Sequence, residues 1–355
     1  MATAERTDTV WSERDTTPGA IEEALRDLLA ERHGQHVGYV PARALNLVCI
    51  VDREWSGEIA NRLRGVGRYH ASRTIICAYE RHRKTLDATA SIATDGIPGQ
   101  GEFALMRETI VINVGPDHLK ALDRIVDPLV VTDVATVVWS PHGHPEAVDS
   151  LLALAQVVLL DSVDDPDPNG ALDRVCELAA RAYVVDLAWL RTTPWRERIA
   201  SAFDPPARRA ELGTISSVTV HSREGSEVTG LLLHGWMCAR LGWRPGAMTR
   251  RQGTLRGRAR ARRGEVQLIL DTGAHMSVPG LAGIDVELAS GAALSLERGT
   301  GGLLARRKER NGPERSWTVL GASRGEPGIL GEGLRQALVR DPTYNDALSA
   351  ARELV

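Results

Sequence analysis

Short apolar runs, each about the length of one strand and set apart by amphipathic segments, constrain this chain more than any other feature. Leu45 to Val51 reads as an apolar strand, Ser56 to Leu63 as a helical segment and Thr74 to Ala78 as another strand. Thr85 to Thr94, with alternating polarity, and Glu108 to Val114 continue as strands. Pro116 to Val126 reads as a helix, Thr136 to Trp139 as a strand, Glu146 to Ala155 as a helix and Val157 to Asp161 as a strand. A strand that is apolar on both sides must be buried on both faces, which a parallel sheet covered by helices provides. The expectation for 36–205 is an α/β domain on a parallel or mostly parallel sheet with flanking helices. Before it, 1–35 holds a polar tail and an amphipathic helix, with apolar residues at helical spacing from Ile21 to Arg32.

With 355 residues the chain exceeds one ordinary core, and its 43% hydrophobic content can fill two. Thr193 as N-cap with Pro194 at the first helical position predicts a helix start. Asp204-Pro205-Pro206 predicts its end, because proline lacks a donor and restricts the residue before it. A domain boundary is expected within 205–214. Beyond it, Ile215 to His221 is strand-like and Val228 to Leu241 helical. Glu265 to Leu270, Ile284 to Leu288, Ala292 to Leu296 and Trp317 to Leu320 read as short strands, and Gly331 to Val339 and Tyr344 to Glu353 as closing helices. Clustered strands between helices predict an α+β domain on an antiparallel sheet over 206–355.

A net charge of −3 gives no global attraction to nucleic acid or anionic membranes, so neither is an expected partner. No apolar run approaches the roughly 20 residues that span a bilayer, and Met1 to Trp11 is polar and acidic; a cytoplasmic location is expected. Cys49, Cys77, Cys176 and Cys238 lie far apart with no C-x-x-C pair. Cys49 and Cys77 fall in predicted central strands and read as small buried hydrophobes. No metal or cofactor is expected.

Several motifs invite chemistry. Leu268-Ile-Leu-Asp271-Thr-Gly273 matches the aspartic-protease signature, and Gly328-Ile-Leu-Gly331 lies where a second hydrophobic-Gly motif would. A single Asp-Thr-Gly would need a homodimer to complete the carboxylate dyad. The simpler reading is a strand-ending turn with Gly273 at positive φ. Gly321-Ala-Ser323-Arg-Gly325 has the G-x-S-x-G spacing, but no histidine follows His275, as that hydrolase order demands. His142-Gly-His144 lacks a third ligand at usable spacing. Gly65-Val-Gly67 and Gly299-Thr-Gly301-Gly302 lack the strand-loop-helix setting of a dinucleotide fingerprint. The run Arg250 to Arg263 is basic and free of acids and reads as a mobile loop. As a docking arm it suits an acidic protein partner; for nucleic acid it lacks stacking aromatics.

In a chain with 4% aromatic residues, Asp186 to Asp204 gathers Trp189, Arg191, Trp195 and Arg196 in 19 positions. Such residues dominate partner interfaces, and they also staple helices onto sheets; composition leaves both readings open. Trp236 and Arg240, four apart, share a helical face, with Trp243 at the helix end.

Four ordered segments carry a family resemblance: Arg43-Ala-Leu-Asn46-Leu-Val, His70-Ala-Ser72-Arg73-Thr-Ile, the Asp186 to Asp204 stretch, and Leu233-His-Gly235-Trp236-Met-Cys-Ala-Arg240-Leu-Gly-Trp243. Together they resemble the glucose-6-phosphate dehydrogenase assembly protein family, OpcA, whose corresponding stretches read approximately R-V-L-N-L-V, H-P-S-R-I, D-L-A-W-x-R-x-x-x-W-R and A-G-W-L-A-S-R. Leu151 to Ser162 and Leu334 to Leu348 are similar to the family's helix before an Asp-Ser strand and its closing helix. The chain departs at Trp139-Ser140, where the family has a double tryptophan, and at His70-Ala71. Its runs Arg250 to Arg263 and Gly299 to Gly312 look enlarged.

The resemblance implies a non-catalytic protein that binds glucose-6-phosphate dehydrogenase, promotes its active oligomer and supports the oxidative pentose phosphate pathway. The expected partner-binding residues are Trp189, Arg191, Trp195, Arg196, Trp236, Arg240 and Trp243. A sugar-phosphate sensor with Ser56, Ser72 and Arg73 lining a cleft at strand C-terminal ends is one alternative. A dimeric protease using Asp271 is another.

Overall fold

In the computed structural model, residues 9–35, 37–41, 43–66, 72–94, 102–320 and 325–355 are described. They fall into two units, one of residues 1–160 with 181–184 and one of 161–180 with 185–355. The Ser323 motif and His70-Ala71 lie outside the described residues, as does Gly67.

The first unit comprises β1 (Thr9–Glu13), α1 (Pro18–Gln35), β2 (Tyr39–Pro41), β3 (Leu45–Asp52), α2 (Ser56–Val66), β4 (Ser72–Tyr79), β5 (Asp87–Thr94) and β6 (Ala104–Val114). The short helices α3 (Pro116–Leu119) and α4 (Leu122–Val126) follow, then β7 (Ala135–Trp139), α5 (Pro145–Leu151) and β8 (Val157–Leu160). Its sheet runs β1-β5-β6-β4-β3-β7-β8, closed at one edge by β9 (Tyr183–Asp186), with β2 beside β6. Strands β6, β4, β3, β7 and β8 are parallel; β5 and β1 add antiparallel at the other edge. Residues Leu45 to Val51 are all buried, as two covered faces require. The one amide among them, Asn46, is satisfied: it donates to the Val131 carbonyl at 2.9 Å and accepts from the Val131 N–H at 2.9 Å. The single helix expected over Pro116 to Val126 is two short ones, because the chain turns at Lys120-Ala121.

The second unit comprises α6 (Pro168–Ala179), α7 (Leu187–Phe203), α8 (Pro206–Arg209), β10 (Ile215–Arg223), α9 (Glu227–Leu241), β11 (Arg244–Pro245), β12 (Thr249–Arg251), β13 (Thr254–Ala261) and β14 (Gly264–Ala274). It continues with β15 (Leu281–Leu288), β16 (Ala293–Gly299), β17 (Gly302–Lys308), β18 (Arg315–Leu320), α10 (Gly325–Leu338) and α11 (Tyr344–Arg352). The sheet runs β11-β13-β14-β10-β15-β16-β17-β18, with β12 beside β13. Among the described residues its strand pairs are antiparallel except β10 with β14. Val266, Leu268 and Leu270 of β14, with Val218 and Val220 of β10, point into the core; Gln267, Ile269, Asp271, Thr219 and His221, which alternate with them, are exposed or half-buried. Helix α9 is buried from Val228 to Gly235, and Gly235 lies against α11: a Cβ there would meet the Ala347 carbonyl oxygen at 2.2 Å.

Four expectations are corrected. The helix expected to begin at Thr193 begins at Leu187, capped by Asp186, whose carboxylate accepts from the Ala188 N–H at 2.9 Å; Pro194 lies inside it. An interior proline costs about 3 kcal/mol, but buried Leu190, Trp195, Ile199 and Phe203 hold the helix through that break. This helix belongs with the second unit, so the division falls before it and not within 205–214. The arginine run is no mobile loop: β12 and β13 form a hairpin through Gln252 and Gly253, both at positive φ, and β13 pairs with β14 along its length. Leu255 and Ala259 alternate with Arg256, Arg258 and Arg260, so one face is buried while the other carries the charge. Finally, Asp271-Thr-Gly273 lies within β14, and Gly273 does not take up positive φ.

Candidate partner-binding site

Helix α7 places the tryptophans and arginines of the Asp186 to Asp204 segment in one internal network. Asp186, 1% exposed, accepts from the Ser162 N–H and hydroxyl at 3.1 and 2.7 Å and from the Tyr344 hydroxyl at 3.2 Å. Burial pushes its carboxyl up to about 6, and the nearby Asp161 charge adds to this against the hydrogen bonds from Ser162 and Ala188. Asp161 is held by Arg191 in a bidentate pair at 2.8 and 2.6 Å. One turn along, Trp189 donates its indole Nε1–H to Asp341 at 2.8 Å, and the Arg196 guanidinium stacks 3.6 Å above the Trp189 ring. Arg196 also donates to Thr192 Oγ1 at 2.9 Å. Burial pushes the Arg196 guanidinium down to about 10, opposed by Asp341. Burial pushes the Asp341 carboxyl up, yet hydrogen bonds from Thr343 and Trp189 and the Arg196 charge outweigh it and hold the group below its ordinary value.

Trp189, Arg191 and Trp195 are therefore interior, at 2%, 5% and 1% exposure, and Arg196 is half-buried. Of the two readings of this segment, the geometry realises the staple. Trp243 is buried just past the Gly242 turn that ends α9. Trp236 and Arg240 differ: the first is half-buried and the second exposed.

These two residues line an open cleft of about 260 Å³ with Ile199, Phe203, Met237 and Leu241. Ile199 and Phe203 stand four apart on α7, Met237 and Leu241 four apart on α9, so each helix contributes one apolar ridge. Arg240 and Arg209 flank the cleft; Arg209 is tied to Asp204 at 2.8 Å. An apolar floor beside an exposed guanidinium and a half-exposed indole is what a partner's hydrophobic anchor with a nearby carboxylate would fit. The sequence reading found Trp236 and Arg240 but missed Ile199 and Phe203, although their spacing of four lies within the helix it expected between Thr193 and Asp204.

The three residues offered for a ligand cleft do not converge. Ser56 lies just past the C-terminal end of β3, whereas Ser72 and Arg73 open β4, which runs parallel to β3, at the opposite edge of the sheet. Arg73 is instead buried against Glu108, with Nε to Oε2 at 2.5 Å, and donates to the Leu129 carbonyl at 2.8 Å. The C-terminal edge joins His142 and His144 to Asp52, Trp55 and Tyr79, three residues the sequence reading did not connect with them. His144 Nε2 lies 3.0 Å from the Asp52 carboxylate, and the Asp52 N–H donates to His142 Nδ1 at 3.1 Å. Tyr79 packs against His144, and Trp55, 46% exposed, lies beside His142. His144 is left-handed at φ 56°, a rare conformation outside glycine. Among the described residues no cluster of three or more histidine, cysteine or acidic side chains is arranged to hold a metal.

In the second unit, His221 stands between two carboxylates on the sheet face opposite the core, with Nδ1 at 3.2 Å from Asp271 and Nε2 at 3.0 Å from Asp285. The strand pairing Asp271↔His221 places Asp271 in mid-sheet, which removes the turn a protease carboxylate would occupy. Burial pushes the Cys77 and Cys238 thiols up to about 12 and Cys49 well above its ordinary value, so all three stay protonated. Among the described residues no helix is long and apolar enough to cross a membrane.

Two family models match the chain: the glucose-6-phosphate dehydrogenase subunit N-terminal domain over residues 64–177 and the C-terminal domain of that subunit over 182–348. An OxPP cycle protein OpcA from Synechocystis sp. is 30% identical over 142 residues, covering 39% of this chain and 30% of that protein. The protein of the same name from Nostoc punctiforme is 33% identical over 132 residues, covering 35% of this chain and 28% of the other. The chain thus matches about a third of the length of these relatives. Among solved structures, the probable oxidoreductase yhhX is similar at 12% identity over 87% of this chain and 94% of that one, with a TM-score of 0.48. A super-repressor mutant of Gal80p from Saccharomyces cerevisiae is similar at 10% identity over 88% and 94%, with a TM-score of 0.47.

Proposed function

Because this chain belongs to the OpcA family of glucose-6-phosphate dehydrogenase subunits, we propose that it is a non-catalytic assembly factor that binds glucose-6-phosphate dehydrogenase, favours its active oligomer and so supports the oxidative pentose phosphate pathway. The observation that carries this reading is the match to both domains of the subunit family, in order, along the chain. The cleft of Trp236 and Arg240 supports it by offering an apolar anchor site with a cationic rim.

Activation of this kind needs no chemistry of its own. A protein that binds the active assembly more tightly than the inactive one shifts their ratio by that difference in affinity and no more. Linkage is reciprocal: glucose 6-phosphate or NADP on the dehydrogenase changes its affinity for this chain if both favour the same state. The test is co-purification with the cognate dehydrogenase, then activity at matched enzyme concentration with and without this chain. An unchanged oligomer size and rate would end the proposal, as would turnover by this chain alone.

A second reading, ligand sensing, draws on the aromatic and histidine cluster at the C-terminal ends of β3 and β4, beside the strand-order reversal between β3 and β7 where open α/β sheets bind ligands. Calorimetry of this protein with glucose 6-phosphate, 6-phosphogluconate and NADP separates the two, since the assembly reading expects no heat without the dehydrogenase.

A further inference from the structure

Strand pairing gathers the arginines that the sequence presents as a run onto one face of one sheet edge. Arg256, Arg258 and Arg260 alternate along β13, and the register sets Arg244 of β11 opposite Arg260 and Arg251 of β12 opposite Thr254. Side chains opposite one another share a face. Arg244, Arg251, Arg256, Arg258 and Arg260 thus stand on one surface, and all five are exposed. The opposite face of β13 carries Leu255 and Ala259 into the core, which fixes the register and denies the arginines another orientation. Arg250, on that opposite face, is paired with Glu227.

This arrangement costs stability. Like charges directly opposite in a sheet destabilise it, and Arg244↔Arg260 is such a pair with two more arginines behind it. Glu265 supplies a counter-charge, 2.9 Å from Arg258 in an exposed pair. A local electrostatic conflict kept in an otherwise consistent fold is the signature of a functional surface. A chain of net charge −3 offers anions no global attraction, so a row of exposed arginines such as this one acts locally. Strands β11, β12 and β13 carry no aromatic side chain on which a base would stack, and a flat row of guanidiniums suits carboxylates, which arginine binds in bidentate pairs.

We propose that the arginine face of β11, β12 and β13 docks an acidic surface of the dehydrogenase partner and steers its encounter. The identity of the partner rests on the assembly reading; the face itself does not. The surface acts mainly on association, because exposed charges are screened at contact but raise the rate of productive encounter.

The experiment is stopped-flow association of the full chain with the cognate glucose-6-phosphate dehydrogenase at several salt concentrations. It compares wild type with the triple variants Arg256→Gln, Arg258→Gln, Arg260→Gln and Arg256→Lys, Arg258→Lys, Arg260→Lys, each checked for an unchanged melting midpoint. The wild-type on-rate is expected to fall steeply with salt. The glutamine variant is expected to associate about 10-fold more slowly at low salt and to lose most of that salt dependence, with little change in off-rate; the lysine variant keeps most of both. Equal on-rates and salt slopes for wild type and the glutamine variant would overturn the docking face alone. No association of wild type at any salt would remove the assembly reading and the docking face with it. Tighter binding of wild type to a DNA duplex than to the dehydrogenase would assign the face to polyanions and overturn the proposal too.

Discussion

Trp189 donates its indole Nε1–H to Asp341 at 2.8 Å across 152 residues of sequence, and this bond ties α7 to the start of the closing helix. Asp341 also accepts from the Thr343 N–H and hydroxyl at 2.9 and 2.7 Å, so one carboxylate fixes both the tryptophan and the turn that leads into α11. Asp341→Ala leaves the buried indole N–H unpaired and removes the anion near Arg196. It is expected to cost about 2 kcal/mol in chemical denaturation. The same variant should bind the dehydrogenase normally well below its melting midpoint; a loss of binding with full stability would place Asp341 at the interface instead.

Two arginines distinguish contact from scaffold. Arg191 is held by Asp161 in the interior, whereas Arg240 is exposed on the cleft with Trp236. Arg191→Ala strands the Asp161 carboxylate and is expected to lower stability by about 3 kcal/mol. Arg240→Ala and Trp236→Ala should leave the melting midpoint nearly unchanged and weaken binding of the dehydrogenase about 10-fold or more, as truncation of an anchor does. Calorimetric titration with a parallel thermal melt reads both. An Arg240→Ala variant that melts early and binds normally would exclude the cleft as the docking point.

What the sequence disclosed followed from periodicity. The central strands were legible because Leu45 to Val51 and Thr74 to Ala78 can only be buried on both sides, and Val228 to Leu241 because its apolar residues surround the helix. The start of α7 was hidden by Pro194, a strong local start signal overruled by packing of the turns before it. The β12–β13 hairpin was hidden because counting charge over Arg250 to Arg263 conceals the two-residue alternation of Leu255 and Ala259 with arginine. For the site, residue type singled out the tryptophans and arginines, but which of them face water depends on Asp161 and Asp341, far off in sequence.

Gly235 of α9 lies directly against the backbone of α11. Added as alanine, its Cβ would meet the Ala347 oxygen at 2.2 Å and the Ala351 nitrogen at 2.7 Å, both backbone atoms. Neither can yield by a rotamer change, so the helices must separate. Gly235→Ala is expected to destabilise the protein by about 2 to 3 kcal/mol despite alanine's better helix propensity. A urea titration that finds the variant as stable as wild type would mean that α11 shifts freely against α9.

The His221 bridge predicts a pH dependence with a definite sign. Hydrogen bonding to Asp285 is the leading cause that raises the His221 pKa above its ordinary 6.5; burial opposes it and the bond to Asp271 adds to it. The bond from His221 in turn holds Asp285 below its ordinary 3.8. A raised histidine pKa gives stability that is complete below about pH 6.5 and disappears as pH climbs through the folded value. A lowered carboxylate pKa gives stability that is present above about pH 3.8 and disappears as pH falls through the folded value. The bridge therefore contributes most between about pH 4 and 6.5. His221→Gln keeps a hydrogen-bonding side chain on the sheet face but cannot carry the charge. Its melting midpoint should lie furthest below wild type near pH 5.5 and approach it by pH 8.5. A difference between the two proteins that is constant from pH 5 to 9 would show that His221 holds the sheet face by packing and neutral hydrogen bonds alone.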